Sequence, residues 1–163
     1  MTNVADDLKI LIIDDNDNNL YTLECILKQA ENVSVVQASS GQKGLDLLQK
    51  EDVQLVIVDI QMPVMNGFEF ANTIKNDDRF KHLPIIFLTA YFKSDEFATR
   101  GYKLGAFDYL TKPIDEHRLL NKVSLYSQLH KQAAELKRVN VELSRTNQAL
   151  KDANTELKSL KKK

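Results

Sequence analysis

The stretch Val53-Gln54-Leu55-Val56-Ile57-Val58-Asp59-Ile60-Gln61-Met62-Pro63-Val64-Met65-Asn66-Gly67 decides the fold. Its first six residues are short, apolar and rich in β-branched side chains, the pattern of a strand buried on both faces. An acid, Asp59, stands where that strand ends. Pro63 and Gly67 then break the chain, and an amphipathic helix follows, from about Gly67 to Asn76. An Asp at the carboxyl end of a buried parallel strand occupies the edge where open α/β sheets keep their sites. Taken alone, Asp59 also suits a turn or a helix cap.

The same unit repeats on either side. Upstream, Lys9 to Ile13 is an apolar strand that ends in Asp14-Asp15. A helix follows near Asn18 to Ala30, with Leu20, Leu23, Ile26, Leu27 and Ala30 on one face. Val33 to Ala38 is the next strand and Gly41 to Lys50 the next helix. Downstream, Pro84 to Leu88 is a strand that ends at Thr89-Ala90, and a helix follows from roughly Ser94 to Leu104. Ala106 to Leu110 is a fifth strand, ending at Thr111-Lys112-Pro113. Strict alternation of strand and helix predicts a parallel sheet covered on both faces. Right-handed crossovers bring every strand's carboxyl end to one edge. That edge collects Asp14, Asp15, Asp59, Thr89 and Lys112.

Three crowded carboxylates repel one another unless a cation intervenes. A hard divalent ion with oxygen ligands, Mg²⁺ above all, answers that problem, and it takes one or two carboxylates directly while keeping several waters. Lys112 adds a fixed positive charge and Thr89 a hydroxyl. Together these groups suit a phosphoryl group, with one acid attacking and the others neutralising the transferred oxygens. Alone, Lys112 also suits a structural ion pair and Thr89 a strand end.

The motifs Ile12-Ile13-Asp14-Asp15-Asn16, Asp59-Ile60-Gln61-Met62-Pro63-Val64-Met65-Asn66-Gly67, Thr89-Ala90 and Gly105-Ala106-Phe107-Asp108-Tyr109-Leu110-Thr111-Lys112-Pro113 resemble, in order and spacing, the receiver domain of two-component response regulators. The resemblance covers residues 8 to about 124. It implies a doubly wound, flavodoxin-like α/β fold with strand order 2-1-3-4-5. It also implies roles. Asp59 would be the phosphoacceptor, charged by a cognate histidine kinase or phosphotransfer protein. Asp15 and Asp59 would hold Mg²⁺ (or Mn²⁺ in its place) by their carboxylates, Gln61 by its backbone carbonyl, and Asp14 largely through water. Thr89, the Ala90 backbone N–H and Lys112 would hold phosphoryl oxygens. Lys112-Pro113 would be a cis peptide, and Tyr109 the aromatic that turns inward with Thr89 on activation. The stretch Tyr91-Phe92-Lys93-Ser94-Asp95-Glu96-Phe97 is unusually aromatic. It suits core packing, or a partner surface that reorders with Tyr109.

The tail has another character. Residues 1–124 hold 13 Lys and Arg against 19 Asp and Glu, whereas residues 125–163 hold 9 against 4. Leu129, Leu136, Leu143, Leu150 and Leu157 recur every seven residues. Ala133, Asn140, Asn147 and Asn154 follow the first four of them by four. This is a coiled-coil pattern with Leu at d and Asn at three a positions, and Asn facing Asn favours a parallel pair in fixed register. The chain has no Gly or Pro between Ile114 and its end, so one helix from about Asp115 to Leu160 can carry the pattern. A solvated single helix is the alternative for so polar a tail.

The expected organisation is therefore a receiver over residues 1–124 and a dimeric coiled-coil extension over 125–163, signalling to an output domain missing from this chain or to a partner. The basic ending Lys158 to Lys163 suits contact with nucleic acid or an anionic membrane and, more simply, a solvated helix end; no helix-turn-helix, cyclase or kinase motif appears, and nucleic-acid binding is not expected. No apolar run reaches the roughly 18 residues of a membrane span and no signal peptide opens the chain, so a cytoplasmic protein is expected. The single Cys25 excludes an intrachain disulfide. Two other functions compete with the phosphorylation switch. A Mg²⁺-dependent phosphatase of the haloacid dehalogenase type needs a second Asp two residues after the nucleophile, where this chain has Gln61. A phosphorylation-independent scaffold has no need of an acid, Thr and Lys set. The expected chain is thus no enzyme beyond its own phosphorylation and dephosphorylation.

Overall fold

A computed structural model describes residues 7–90 and 108–162. Within residues 1–127, one of two compact units, five strands form a single parallel sheet. They are β1 (Leu8–Ile13), β2 (Val33–Ala38), β3 (Leu55–Asp59), β4 (Ile85–Thr89) and β5 (Asp108–Thr111), in the order β2-β1-β3-β4-β5. Among the described residues the helices are α1 (Asp17–Leu27), α2 (Gly41–Lys50), α3 (Gly67–Lys75) and α4 (Glu116–Lys161). The expected helix from Ser94 to Leu104, the aromatic stretch at residues 91–97 and the expected start of β5 at Ala106 lie outside the described residues.

The sheet is most deeply buried at its centre, where β3 and β4 are apolar up to their polar ends, while β2 and β5 at its edges are only partly buried. All five residues of β3 and all five of β4 are buried. Alternation then splits them between two cores. Leu55 and Ile57 of β3 join Leu20, Leu23 and Leu27 of α1 and Leu119 and Val123 of α4 on one face. Val56 and Val58 join Leu48 of α2 and Phe68, Phe70 and Ile74 of α3 on the other. Phe87 of β4 lies between Phe68 and Tyr109, its ring centroid 5.1 Å and 5.5 Å from theirs. Truncating such a ring to Ala costs about 3–5 kcal/mol.

Each helix start is capped by a side chain that accepts from an otherwise unpaired N–H. Asn16 accepts from Asn18 and Asn19, Ser40 from Lys43, Asn66 from Glu69, and Asp115 from Arg118. The helix α1 stops at Leu27, short of the expected Ala30. The chain tightens there, with Gln29 N–H donating to Ile26 and Ala30 N–H to Leu27. These three-residue closures are a common way to satisfy the last carbonyls of a helix. Asn32, at φ 59°, then sits in the left-handed region and leads into β2.

Gly67 fixes how α3 meets the end of β3. Its N–H donates to the Ile60 carbonyl at 3.0 Å. A Cβ there would stand 2.7 Å from the Asp59 carbonyl oxygen and 2.9 Å from the Ile60 Cα. No larger residue fits that approach without moving backbone.

The second unit, residues 128–163, is helical throughout its described length to Lys161. It buries nothing of its own. Leu129, Leu136, Leu143, Leu150 and Leu157 are between 49 and 62% exposed. The helix therefore forms over the expected range, with its leucine row exposed.

Candidate phosphoryl-transfer site

Strand register assembles the site. Ile13 of β1 pairs with Val58 of β3, so the next residues, Asp14 and Asp59, lie side by side. Asp59 pairs with Leu88, one residue before Thr89, and Thr89 with Thr111, one residue before Lys112. The Lys112 N–H donates to the Thr89 carbonyl at 2.8 Å, which ties the ends of β4 and β5 together. The Lys112-Pro113 peptide is cis.

Lys112 Nζ stands 3.2 Å from an Asp14 oxygen and 3.2 Å from an Asp59 oxygen. Asp14, Asp59 and Thr89 are buried, while Asp15 is exposed. Asp14, Asp15 and Asp59 each present a carboxylate oxygen within 4.8 Å of the others. Burial, and then the Asp14 charge, hold the Asp59 carboxyl above its ordinary pKa, against the lowering effect of Lys112. Burial alone would lower the Lys112 pKa, but Asp59 and Asp14 outweigh it and the ammonium stands above its usual value. The cluster is thus short of positive charge. One lysine faces three acids.

Gln61 and Ala90 are exposed at the same edge, and the Gln61 N–H donates to Asp59 at 3.4 Å. Tyr109, half-buried on β5, packs its ring against Phe87. The structure therefore brings together Asp14, Asp15, Asp59, Thr89 and Lys112, as expected from the order of strands. Two contributors were missed in the sequence. The Asn16 N–H and the Asn19 side-chain amide both donate to Asp14, at 2.9 and 3.2 Å, and hold its carboxylate in place. The signal for Asn19 was its position in the first turn of the helix after Asp14.

Oxygen ligands converging from three carboxylates, with a surplus of negative charge, fit a hard divalent cation. Asp14 and Asp59 each have both oxygens engaged by protein donors, whereas the exposed Asp15 is the most open of the three carboxylates.

Comparison with known proteins places the chain. The family model described as the response regulator receiver domain matches residues 10–124. The chain belongs to the response regulator receiver family. Among curated receiver-containing relatives, a probable cyclic di-GMP phosphodiesterase of Vibrio cholerae serotype O1 is 36% identical over 119 residues, 73% of this chain and 26% of that protein. The sensory transduction protein LytT of Bacillus anthracis is 33% identical over 132 residues, 80% of this chain and 51% of that protein. This receiver chain thus spans about half or less of those two relatives. The protein PilH of Pseudomonas aeruginosa is 34% identical over 116 residues, covering 94% of that protein and 71% of this chain. Among solved structures, the chemotaxis protein CheY4 of Vibrio cholerae superposes with a TM-score of 0.69 at 31% identity, over 74% of this chain and 98% of that one. Among the described residues of this receiver chain, no helix is long and apolar enough to cross a membrane.

Proposed function

We propose that the chain is a phosphorylation switch in which Asp59 accepts a phosphoryl group from a phosphohistidine of a histidine kinase or phosphotransfer protein. The observation that carries this reading is the shared lysine. Lys112 Nζ lies 3.2 Å from both Asp14 and Asp59, at the edge where a buried nucleophile meets solvent. An Asp59 oxygen attacks phosphorus, the new O–P bond forms, and the P–N bond of the donor breaks as its imidazole leaves. Charge develops on the three peripheral oxygens. Lys112 takes one, the Thr89 hydroxyl and the Ala90 N–H take others, and Asp14 stays held by Asn16 and Asn19.

Asp15, Asp59 and the Gln61 carbonyl would bind Mg²⁺ (or Mn²⁺), with Asp14 acting through water, and the ion would supply the positive charge the cluster lacks. The chain's catalysis ends with its own phosphorylation and hydrolysis. The switch reads out through Thr89 and Tyr109, and through a parallel homodimer formed by the leucine row of α4. An output partner completes the signal.

Intact-mass measurement with acetyl phosphate and Mg²⁺ tests the assignment. A single phosphoryl adduct is expected on the parent chain and none on Asp59→Asn. An adduct on Asp59→Asn refutes it.

A further inference from the structure

The leucine row of α4 can anchor two different seams. The residues four after each leucine are Ala133, Asn140, Asn147 and Asn154. The residues three after the leucines from Leu136 onward are Val139, Thr146, Ala153 and Leu160. On a helix both sets lie beside the leucines, one on each flank. The first set is apolar at its start and polar after it. The second carries apolar groups or, at Thr146, a methyl throughout. The hydroxyl of Thr146 already donates to the Glu142 carbonyl at 3.0 Å, which leaves its methyl free to pack.

The holes that would receive a partner's leucines make the comparison concrete. A knob in a coiled coil enters a hole formed by four residues of the facing helix. In the asparagine seam, Leu136 would enter a hole made by Ala133, Leu136, Lys137 and Asn140. Those four residues share an open apolar stretch of helix surface that continues over Val141, Ser144 and Arg145. In the other seam its hole would contain Gln132 and Glu135, so the asparagine side wins at this level. At Leu150 the order reverses. The asparagine seam offers Asn147, Lys151 and Asn154, and the other seam offers Thr146, Ala149 and Ala153. At Leu157 the contrast is between Asn154, Lys158 and Lys161 on one side, and Ala153, Glu156 and Leu160 on the other.

Resting on the dimeric reading of the tail, we propose that a second copy of this chain pairs in parallel with α4 and that the seam changes side along it. It runs through Ala133 and Asn140 at the base and through Thr146, Ala153 and Leu160 beyond Leu143. Charge complementarity selects this partner and this direction. In the distal seam Glu156 of one copy faces Lys161 of the other, an opposite-charge flank pair that a parallel dimer forms twice. An antiparallel pair would not bring Glu156 of one copy to Lys161 of the other. The change of side shortens the apolar spacing to two successive steps of three residues, from Asn140 to Leu143 and from Leu143 to Thr146. A three-residue discontinuity of this kind overwinds the supercoil locally.

The full chain carrying Cys25→Ser gives a cysteine-free background for four single-cysteine variants: Val139→Cys, Asn140→Cys, Ala153→Cys and Asn154→Cys. Disulfide linkage under mild oxidation is timed for each, and sedimentation equilibrium gives its mass. Asn140→Cys should link faster than Val139→Cys, and Ala153→Cys faster than Asn154→Cys, each by about tenfold, because only seam positions bring the two Cα atoms within bridging distance. If Asn154→Cys links as fast as Ala153→Cys, or Val139→Cys as fast as Asn140→Cys, a dimer exists but its seam stays on one side, and the proposal falls. Monomeric mass across the micromolar range overturns the dimeric reading itself, and this inference with it.

Discussion

Replacing Gly67 with Ala tests whether the end of β3 is held where the site needs it. The added Cβ would stand 2.7 Å from the Asp59 carbonyl oxygen and 2.9 Å from the Ile60 Cα, and both are backbone atoms. Reaching ordinary contact near 3.4 Å requires a backbone shift of about half an ångström or more. The same backbone accepts the Gly67 N–H through Ile60, so the shift also strains that hydrogen bond. Overpacking of this kind costs about 1–3 kcal/mol. Restricting the unfolded chain returns about 0.4–1 kcal/mol, so a net loss of about 1–2 kcal/mol is expected. In a domain of this size that lowers Tm by roughly 4–10 °C. Gly44→Ala is the control. Its Cβ would stand even closer, 2.5 Å, but to the terminal methyl of Ile13, which can rotate away. Gly44 also lies inside α2, where Ala gains about 1 kcal/mol of helix propensity, so its variant should stay within about 1 kcal/mol of the parent. All five tyrosines precede residue 128, so tyrosine fluorescence in urea reports the receiver unit without the tail. Measurements at one protein concentration keep any dimer contribution constant. Parent-like stability of Gly67→Ala, or an equal loss in Gly44→Ala, would refute the argument that backbone contact, not crowding alone, sets the cost.

Two further outcomes follow from the charge cluster. Asp15→Ala should fold like the parent, because Asp15 is exposed, yet lose Mg²⁺ affinity by at least about tenfold, as expected when one of few direct carboxylates goes; unchanged affinity by calorimetric titration would remove Asp15 from the site. The Asp59 carboxyl titrates above its ordinary 3.8, from burial and from Asp14. A raised carboxyl pKa favours the folded state fully below the unfolded value, and that advantage is lost as pH rises through the folded value. In buffer free of divalent cations, the stability of Asp59→Asn relative to the parent should therefore increase from pH 3 to pH 7. A pH-independent difference in urea midpoints, or one that shrinks toward neutrality, contradicts the sign.

Most of the fold was legible because short, mainly apolar runs end in a polar residue at β1, β3, β4 and β5. That pattern located β1, β3, β4 and β5, and parallel topology then assembled Asp14, Asp59, Thr89 and Lys112 without any knowledge of contacts. Three details were not legible, for a common reason. The amide of Asn19 on Asp14, the end of α1 at Leu27 and the closeness of Gly67 to Asp59 all depend on where one turn of helix points relative to the sheet edge. Periodicity records which face of a helix is apolar, but not how its first turn leaves the strand.

The tail shows the converse limit. Its period of seven was plain, and α4 runs through it. The leucine row, however, belongs equally to two seams, so the spacing that reveals the rod leaves open which side of the leucines is buried. In the proposed dimer the choice is made layer by layer, by what surrounds each leucine once water is excluded. Near Leu136 an alanine decides it. Near Leu157 Lys158 does, because the asparagine seam would strip its charge of solvent while the other seam leaves it outside and sets Lys161 against Glu156. Polar layers weaken a coiled coil while fixing its register. On the proposed pairing, a rod whose polar layers are left outside its distal seam gives up part of that register, so a modest push at its base would change how its far end pairs.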